Sequence, residues 1–327
     1  MPAALLPLAW TTDYPIAAIL VGLVGLVAGA DLLVRGSVWI ALTLGMSRMA
    51  VGLTLVAMGT SLPELLVSFT AARSGNSEIA MANVIGSNTA NVLLIVGCAA
   101  SICAIRLQVR WYELVYMSIA TALAAVPFLF TREVSRPLST VMVVMLAMFC
   151  FGLLRRERTH EEHPGHEAPP RATLFGWLLH LALLGGGFVL LAYSAEWLVD
   201  GAVAIASSLG MSKAVIGMTI VAIGTSLPEL ATSAVAAKKG QPEIAIGNVI
   251  GSNIFNVGSV LGVAGLLQPF PVDVDELGRL MVMTGASAVL LVFVLRALGG
   301  VPRFVGVLFL LIYAGFMAYE VMHGKVS

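Results

Sequence analysis

VGLTLVAMGTSLPELLVSF (51–69) is an apolar run long enough to cross a bilayer, yet a proline and a glutamate stand in its middle. The six residues GTSLPE (59–64) return unchanged at 224–229, inside a second such run. A charge at that depth costs at least ~2.5 kcal/mol on insertion scales, so such residues usually face the bundle interior and mark an ion or proton path. Pro63 has no N–H, so the carbonyl of Gly59 loses its helical partner, and the helix is predicted to loosen around Gly59–Thr60. Backbone freed inside a membrane must line a cavity or find other partners. Freed carbonyls, the hydroxyls of Thr60 and Ser61 and the carboxylate of Glu64 make an oxygen-rich nest of the kind hard cations require. Gly224, Thr225, Ser226, Pro228 and Glu229 supply the same set again.

The following segment extends the pattern. In EIAMANVIGSNTANV (78–92), Asn83, Ser87 and Asn91 recur every four residues and share one helical face. Asn248, Ser252 and Asn256 repeat them, and Gly86 and Gly251 would permit close approach. A polar stripe can simply glue helices together. Beside a buried glutamate, and duplicated, it reads as a cation-coordinating wall. Two glutamates offer up to about four oxygens and two carbonyls raise that to about six, so one or two waters would complete a Ca²⁺ shell. Two carboxylates also balance the divalent charge, as a low-dielectric site demands. With no His or Cys near either motif, a soft metal is disfavoured.

Outward from the motifs, 59% of the 327 residues are hydrophobic, 11% are charged, and mean hydropathy is +0.96, which defines an all-α polytopic membrane protein. Zero net charge gives no sign of a nucleic-acid partner. Cys98, Cys103 and Cys150 lie in apolar segments and read as small core residues. Ten spans are predicted: 15–43, 50–72, 78–104, 111–130, 138–154, 172–208, 214–237, 243–267, 280–297 and 303–322. With the N-terminus outside, 12 Lys or Arg fall at inner positions and 6 at outer ones, which puts both termini outside and the 155–171 connector in the cytoplasm. The N-terminus has no basic region and makes a poor signal peptide.

Residues 29–97 align without a gap on 194–262 at an offset of 165, with 38 of 69 positions identical. Five spans separate equivalent positions, and an odd number inverts the second copy. The chain therefore divides into a first repeat (1–154), the connector (155–171) and a second repeat (172–327): two inverted five-helix repeats, the plan of many secondary transporters. The flanks differ: Arg35 corresponds to Asp200, as expected of ends that face opposite sides, while Asp31 and Glu196 correspond as acids and read as interfacial residues, with a gate role as the alternative.

GTSLPELLVSFTAARSGNSEIAMANVIGSNTANV (59–92) and GTSLPELATSAVAAKKGQPEIAIGNVIGSNIFNV (224–257) resemble the paired signature repeats of the calcium/cation antiporter superfamily, and most closely its prokaryotic sodium/calcium exchanger branch. The resemblance implies exchange of Na⁺ for Ca²⁺ at four clustered sites. It places Ca²⁺ on Glu64 and Glu229 with the carbonyls of Thr60 and Thr225. Na⁺ would use the same glutamates with Ser61, Ser226, Ser87, Ser252 and the carbonyls of Ala57 and Ala222, and the central position would add Asn91 and Asn256. Some relatives carry Asp where Asn256 stands. The resemblance also implies long first and sixth spans that slide across the core to alternate access.

The expected function is a secondary transporter, not an enzyme, with Ca²⁺ and Na⁺ as its substrates and no cofactor, in a prokaryotic plasma membrane. A three-for-one exchange would be electrogenic and would favour Ca²⁺ export. A proton/calcium antiporter and a potassium-dependent or other divalent-cation exchanger are the alternatives. An intramembrane enzyme using Ser61 or Ser226 lacks a paired His or Lys base, and a scaffold leaves the buried acids unexplained. HEEHPGHE (160–167) reads as a solvated connector, with a regulatory metal as its rival. The acidic PVDVDE (271–276) falls outside and reads as a polar loop. The sequence does not fix an oligomeric state, and a monomer suits it.

Overall fold

The computed structural model describes residues 9–73, 77–107, 109–159, 172–209 and 222–323. The described parts of the predicted spans are helical apart from the breaks within the motifs, and those sequence boundaries that fall on described residues move by at most six residues. A short α1 (Ala9–Asp13) precedes α2 (Pro15–Thr43). The first motif is carried by α3 (Arg48–Thr60) and α4 (Leu62–Phe69, continuing to residue 73), bent by 40° at their junction. Then come α5 (77–102), α6 (Trp111–Thr131), α7 (Arg136–Thr159) and α8 (Leu174–Ser208). The second motif joins α9 (Ala222–Gly224) to α10 (Leu227–Lys238), and α11 (Pro242–Leu267), α12 (Val274–Leu298) and α13 (Arg303–His323) complete the chain. Among the described residues, eight helices are long and apolar enough to span, and the bent α3–α4 pair makes nine. The remaining predicted span, the seventh at 214–237, begins in 210–221, outside the described residues.

Helices α5 and α11 form the centre. Their apolar windows are 72% and 83% buried, against 11% for α8. Helices α2 and α8 run antiparallel along one another: Pro15 lies against Gly201, Gly22 against Ser194, Gly29 against Gly187 and Gly36 against His180. A Cβ on Gly29 would stand 3.0 Å from the Leu191 nitrogen, and one on Gly187 would stand 2.8 Å from the Leu33 nitrogen. Small residues thus let these two backbones touch, the packing that replaces hydrophobic driving force in lipid. At 29 and 35 residues the helices are about 44 and 52 Å long.

The offset of 165 is written into the secondary structure. Leu62–Arg73 recurs as Leu227–Lys238, Ser77–Ala90 as Pro242–Phe255, and Gly97–Ile102 as Gly262–Leu267. Two antiparallel ladders tie the halves reciprocally: β1 (Ile105–Arg106) pairs with β4 (Gly300–Val301), and β2 (Glu133–Val134) with β3 (Phe270–Pro271). Each ladder joins loops that the positive-charge count assigns to the same side of the membrane.

Candidate functional site

The helix break falls at Ser61 (φ −82°, ψ 5°), one residue beyond the expected Gly59–Thr60. Pro63 is accommodated in the first turn of a new helix, α4, where a missing N–H costs little. The equivalent break is at Ser226 (φ −89°, ψ 6°), with Pro228 in the first turn of α10. Glu64 and Glu229 therefore each sit in the first turn of a half-helix, where the backbone dipole favours a carboxylate. Each is only 1% exposed.

The two motifs reach across to one another. The Ser61 hydroxyl donates to Glu229 Oε1 at 3.2 Å, and the Ser226 hydroxyl donates to Glu64 Oε1 at 3.4 Å. Thr60 Oγ1 lies 3.1 Å from Asn248 Oδ1, and Thr225 Oγ1 lies 3.4 Å from Asn83 Oδ1. The polar stripes of α5 and α11 then divide by role. Asn83 donates to the Glu64 carbonyl at 3.3 Å and to Ser68 at 3.0 Å, while Asn248 donates to the Glu229 carbonyl at 3.4 Å and to Ser233 at 3.0 Å. These two amides hold each glutamate's backbone in place.

Asn91 and Asn256 are anchored by their nitrogen ends. Asn91 Nδ2 donates to Asn253 Oδ1 at 2.9 Å, and Asn256 Nδ2 donates to Ser87 Oγ at 3.0 Å and Asn88 Oδ1 at 3.1 Å. Their carbonyl oxygens are what remains for the centre. Both asparagines open π-helical segments, Asn91–Val96 and Asn256–Leu261, a local widening that recurs at functional sites. Asn88 and Asn253, which orient them, were missed in the sequence, as were Ser68 and Ser233. The Ala57 carbonyl accepts from the Ser61 N–H at 3.0 Å and lies 3.4 Å from the Thr60 hydroxyl. Ala222 opens α9. The approach expected at Gly251 is present, with a Cβ there 2.6 Å from the Leu53 carbonyl; the segment facing Gly86 by the same repeat, 210–221, lies outside the described residues, as does the His160–His166 cluster.

Glu64 Oε2, Glu229 Oε2, Asn91 Oδ1, Asn256 Oδ1 and Ser252 Oγ are buried with no hydrogen-bond partner. An orphaned buried oxygen is costly, and five in one region, drawn from both motifs, is not how a packed core is made. All five can ligate a cation, and four have no proton to donate when the glutamates are ionised. The oxygens suit Na⁺ or Ca²⁺ by hardness.

A multi-pass helical bundle folded around a buried, oxygen-lined centre defines an ion-transporting membrane protein. The chain belongs to the sodium/calcium exchanger family, whose model, described as sodium/calcium exchanger protein, matches residues 14–155 and 179–322. It is similar to CaxA of Alkalimonas amylolytica, with 38% identity over 309 residues, covering 91% of this chain and 96% of the relative. The sodium/calcium exchanger MaX1 of Methanosarcina acetivorans is 32% identical over 339 aligned residues, with 91% and 96% covered. Among solved structures, the sodium-calcium exchanger NCX_Mj soaked with 2.5 mM Na⁺ and 0.1 mM Ca²⁺ superposes with a TM-score of 0.78 at 30% identity, covering 95% of this chain and 99% of that one. The chain is thus a membrane antiporter of the sodium/calcium exchange type.

Proposed function

We propose that this protein exchanges Na⁺ for Ca²⁺ across a prokaryotic plasma membrane by alternating access, exporting Ca²⁺ on the inward Na⁺ gradient. The observation that carries the reading is the pair of buried glutamates bridged by each other's motif serine, with unpartnered oxygens around them. Ca²⁺ binds Glu64 and Glu229 with the Thr60 and Thr225 carbonyls. Na⁺ shares the glutamates and adds Ser61, Ser226, Ser87, Ser252, Asn91, Asn256 and the Ala57 and Ala222 carbonyls. Because both ions need the same carboxylates, they exclude one another, and coupling follows.

The repeats at 1–154 and 172–327 are inverted about the 155–171 connector, which lies in the cytoplasm with both termini outside. Antiparallel packing of the equivalent helices α2 and α8 supports the inversion. Sidedness is supported by ends that meet their own side: Arg303 donates to the Ile102 carbonyl at 3.0 Å, and Arg296 lies over the Trp111 ring at 4.3 Å, all at predicted inner positions. The α2–α8 pair then moves against the core to open the site to one side at a time.

The test is radiolabelled Ca²⁺ uptake into proteoliposomes with Na⁺, K⁺ and H⁺ gradients imposed one at a time. A Na⁺ gradient alone should drive uptake. Uptake that follows only a pH gradient would replace Na⁺ by protons in the reading, and activity retained by Glu64→Gln or Glu229→Gln would overturn the site.

A further inference from the structure

The next step rests on the proposed alternating access and concerns the far end of α10 from Glu229, about 15 Å along that helix. There the moving pair meets the core through charge. Asp31 of α2 pairs with Arg35, one turn further along, at 2.6 Å, and also with Lys239. Lys239 belongs to the core and is held rigidly there. It closes α10, and its N–H donates to the Val235 carbonyl at 2.9 Å. The N–H groups of Gly240 and Gln241 bond back to the carbonyls of Ala237 and Ala236 at 3.0 and 2.9 Å, and Gly240 takes φ +68° to make the turn into α11. A partly buried carboxylate on one body is thus matched to a partly buried ammonium fixed on the other.

Along α2, the residue that meets Lys239 changes with every turn. Four residues to either side of Asp31 stand Val27 and Arg35, on the same face of the helix. Displacing α2 by one turn, about 5.4 Å, therefore puts a second cation or an apolar side chain where the carboxylate was. Neither can take its place, so one register of α2 on the core is favoured at this end, and it is the register of this structure. The second copy cannot build the same arrangement. At the offset of 165 the positions of Asp31, Arg35 and Lys239 are held by Glu196, Asp200 and Ser74, two acids and a neutral residue.

We infer that the Asp31–Lys239 ion pair is a latch that ties the moving helix α2 to the core at its cytoplasmic end and biases the exchanger toward the state closed on that side. The charge count places Arg35 and Lys239 at inner positions, so the tie closes the inner end. Arg35 sharpens the latch, because a shift that brings it to Lys239 sets like charges against each other.

The experiment measures half-saturating Ca²⁺ on each face, by Ca²⁺–Ca²⁺ exchange in right-side-out and inverted vesicles. Full-length wild-type, Asp31→Asn and Lys239→Gln proteins are compared. This exchange needs no Na⁺, so it reads the latch whatever ion drives net transport. Each apparent affinity is the intrinsic one scaled by the fraction of protein open to that face, so the ratio of outer to inner half-saturating Ca²⁺ reports the bias. In each single variant the ratio should rise about two- to fivefold, the range of a partly exposed ion pair. A pair that only stabilised the fold would leave the ratio unchanged. Asp31→Lys combined with Lys239→Asp exchanges the charges and should bring the ratio back toward wild type. An unchanged or lowered ratio in either single variant overturns the latch, and so does a charge-exchanged protein that transports without restoring it. Should that double variant fail to assemble, the single variants decide alone. Ca²⁺–Ca²⁺ exchange without any Na⁺-driven flux would overturn the proposed Na⁺ coupling while the ratio still judges the latch, whereas a wild-type protein that exchanges no Ca²⁺ at all overturns both.

Discussion

The centre of the molecule and its two flanks were built from the same duplicated sequence, and only the centre kept the duplication. At the centre the contacts that hold the two glutamates occur twice: Ser61 to Glu229 and Ser226 to Glu64, Asn83 to Ser68 and Asn248 to Ser233. At the flanks the copies part. Asp31 of α2 pairs with Arg35 at 2.6 Å and with Lys239, which caps α10 at the turn into α11. Exchanging the copies at the offset of 165 gives Glu196, Asp200 and Ser74 as the equivalent residues, and Asp200 instead accepts a hydrogen bond at 3.1 Å from Thr11 of α1. The centre faces one ion from both halves, so each half meets the same demand. The ends face different solutions and different neighbours, so nothing holds them alike.

The largest expected effects test the symmetry of the centre. Glu64→Gln and Glu229→Gln each remove one of two buried charges and leave its partner oxygens desolvated, a loss of about 3–5 kcal/mol by analogy with broken buried pairs. Ca²⁺ affinity measured by titration should fall by about two to four orders of magnitude, and equally for both. A difference of more than about tenfold between the two would show that one half dominates. Next come Asn83→Ala and Asn248→Ala, which free the backbone carbonyl of each glutamate and leave Ser68 or Ser233 without its donor. At about 1–3 kcal/mol for a broken buried hydrogen-bond pair, each should weaken Ca²⁺ binding about tenfold, again in parallel.

How much of this was legible in the sequence follows from the same contrast. A carboxylate inside an apolar run stands out because lipid makes it costly, so Glu64 and Glu229 could be read directly, and the duplication placed them together. Asn88 and Asn253 could not. Each sits one residue from a serine of the polar stripe, about 100° around a regular helix, and so reads as facing away. But α5 and α11 are enclosed on nearly all sides, and a polar group on any face there must find a partner; Asn88 and Asn253 find Asn256 and Asn91. The π-helical segments left no residue signature either, since NVLLIV and NVGSVL share little beyond their first two letters. The helix break was expected from Pro63, but its position at Ser61 depends on where the new helix can begin.

A smaller effect is expected where α2 and α8 touch. Gly29→Ala and Gly187→Ala place a methyl against backbone on the opposite helix. Overpacking of this kind costs about 1–3 kcal/mol, and lower thermal stability in detergent should accompany slower exchange. Loss of stability with no change in rate would mean that the pair does not slide at this contact.

The smallest effects belong to the flanks, where the two ends use different chemistry. Thr11 is buried and its hydroxyl meets a carboxylate, so Thr11→Val should cost about 1.5 kcal/mol and salt should change that little. Asp31 and Lys239 are each 28% exposed, and pairs of that kind contribute about 0.2–1 kcal/mol. In a double-mutant cycle of Asp31→Asn and Lys239→Gln, read by thermal stability, the coupling should therefore be at most a few-fold in equilibrium terms. It should also shrink as ionic strength rises and the screening length contracts to about 3 Å near 1 M salt. Coupling that persists at high salt would mean the pair is more enclosed during the cycle than its exposure indicates. The two ends would then be alike in mechanism although unlike in sequence, and the divergence of the flanks would be a matter of residue choice rather than of environment.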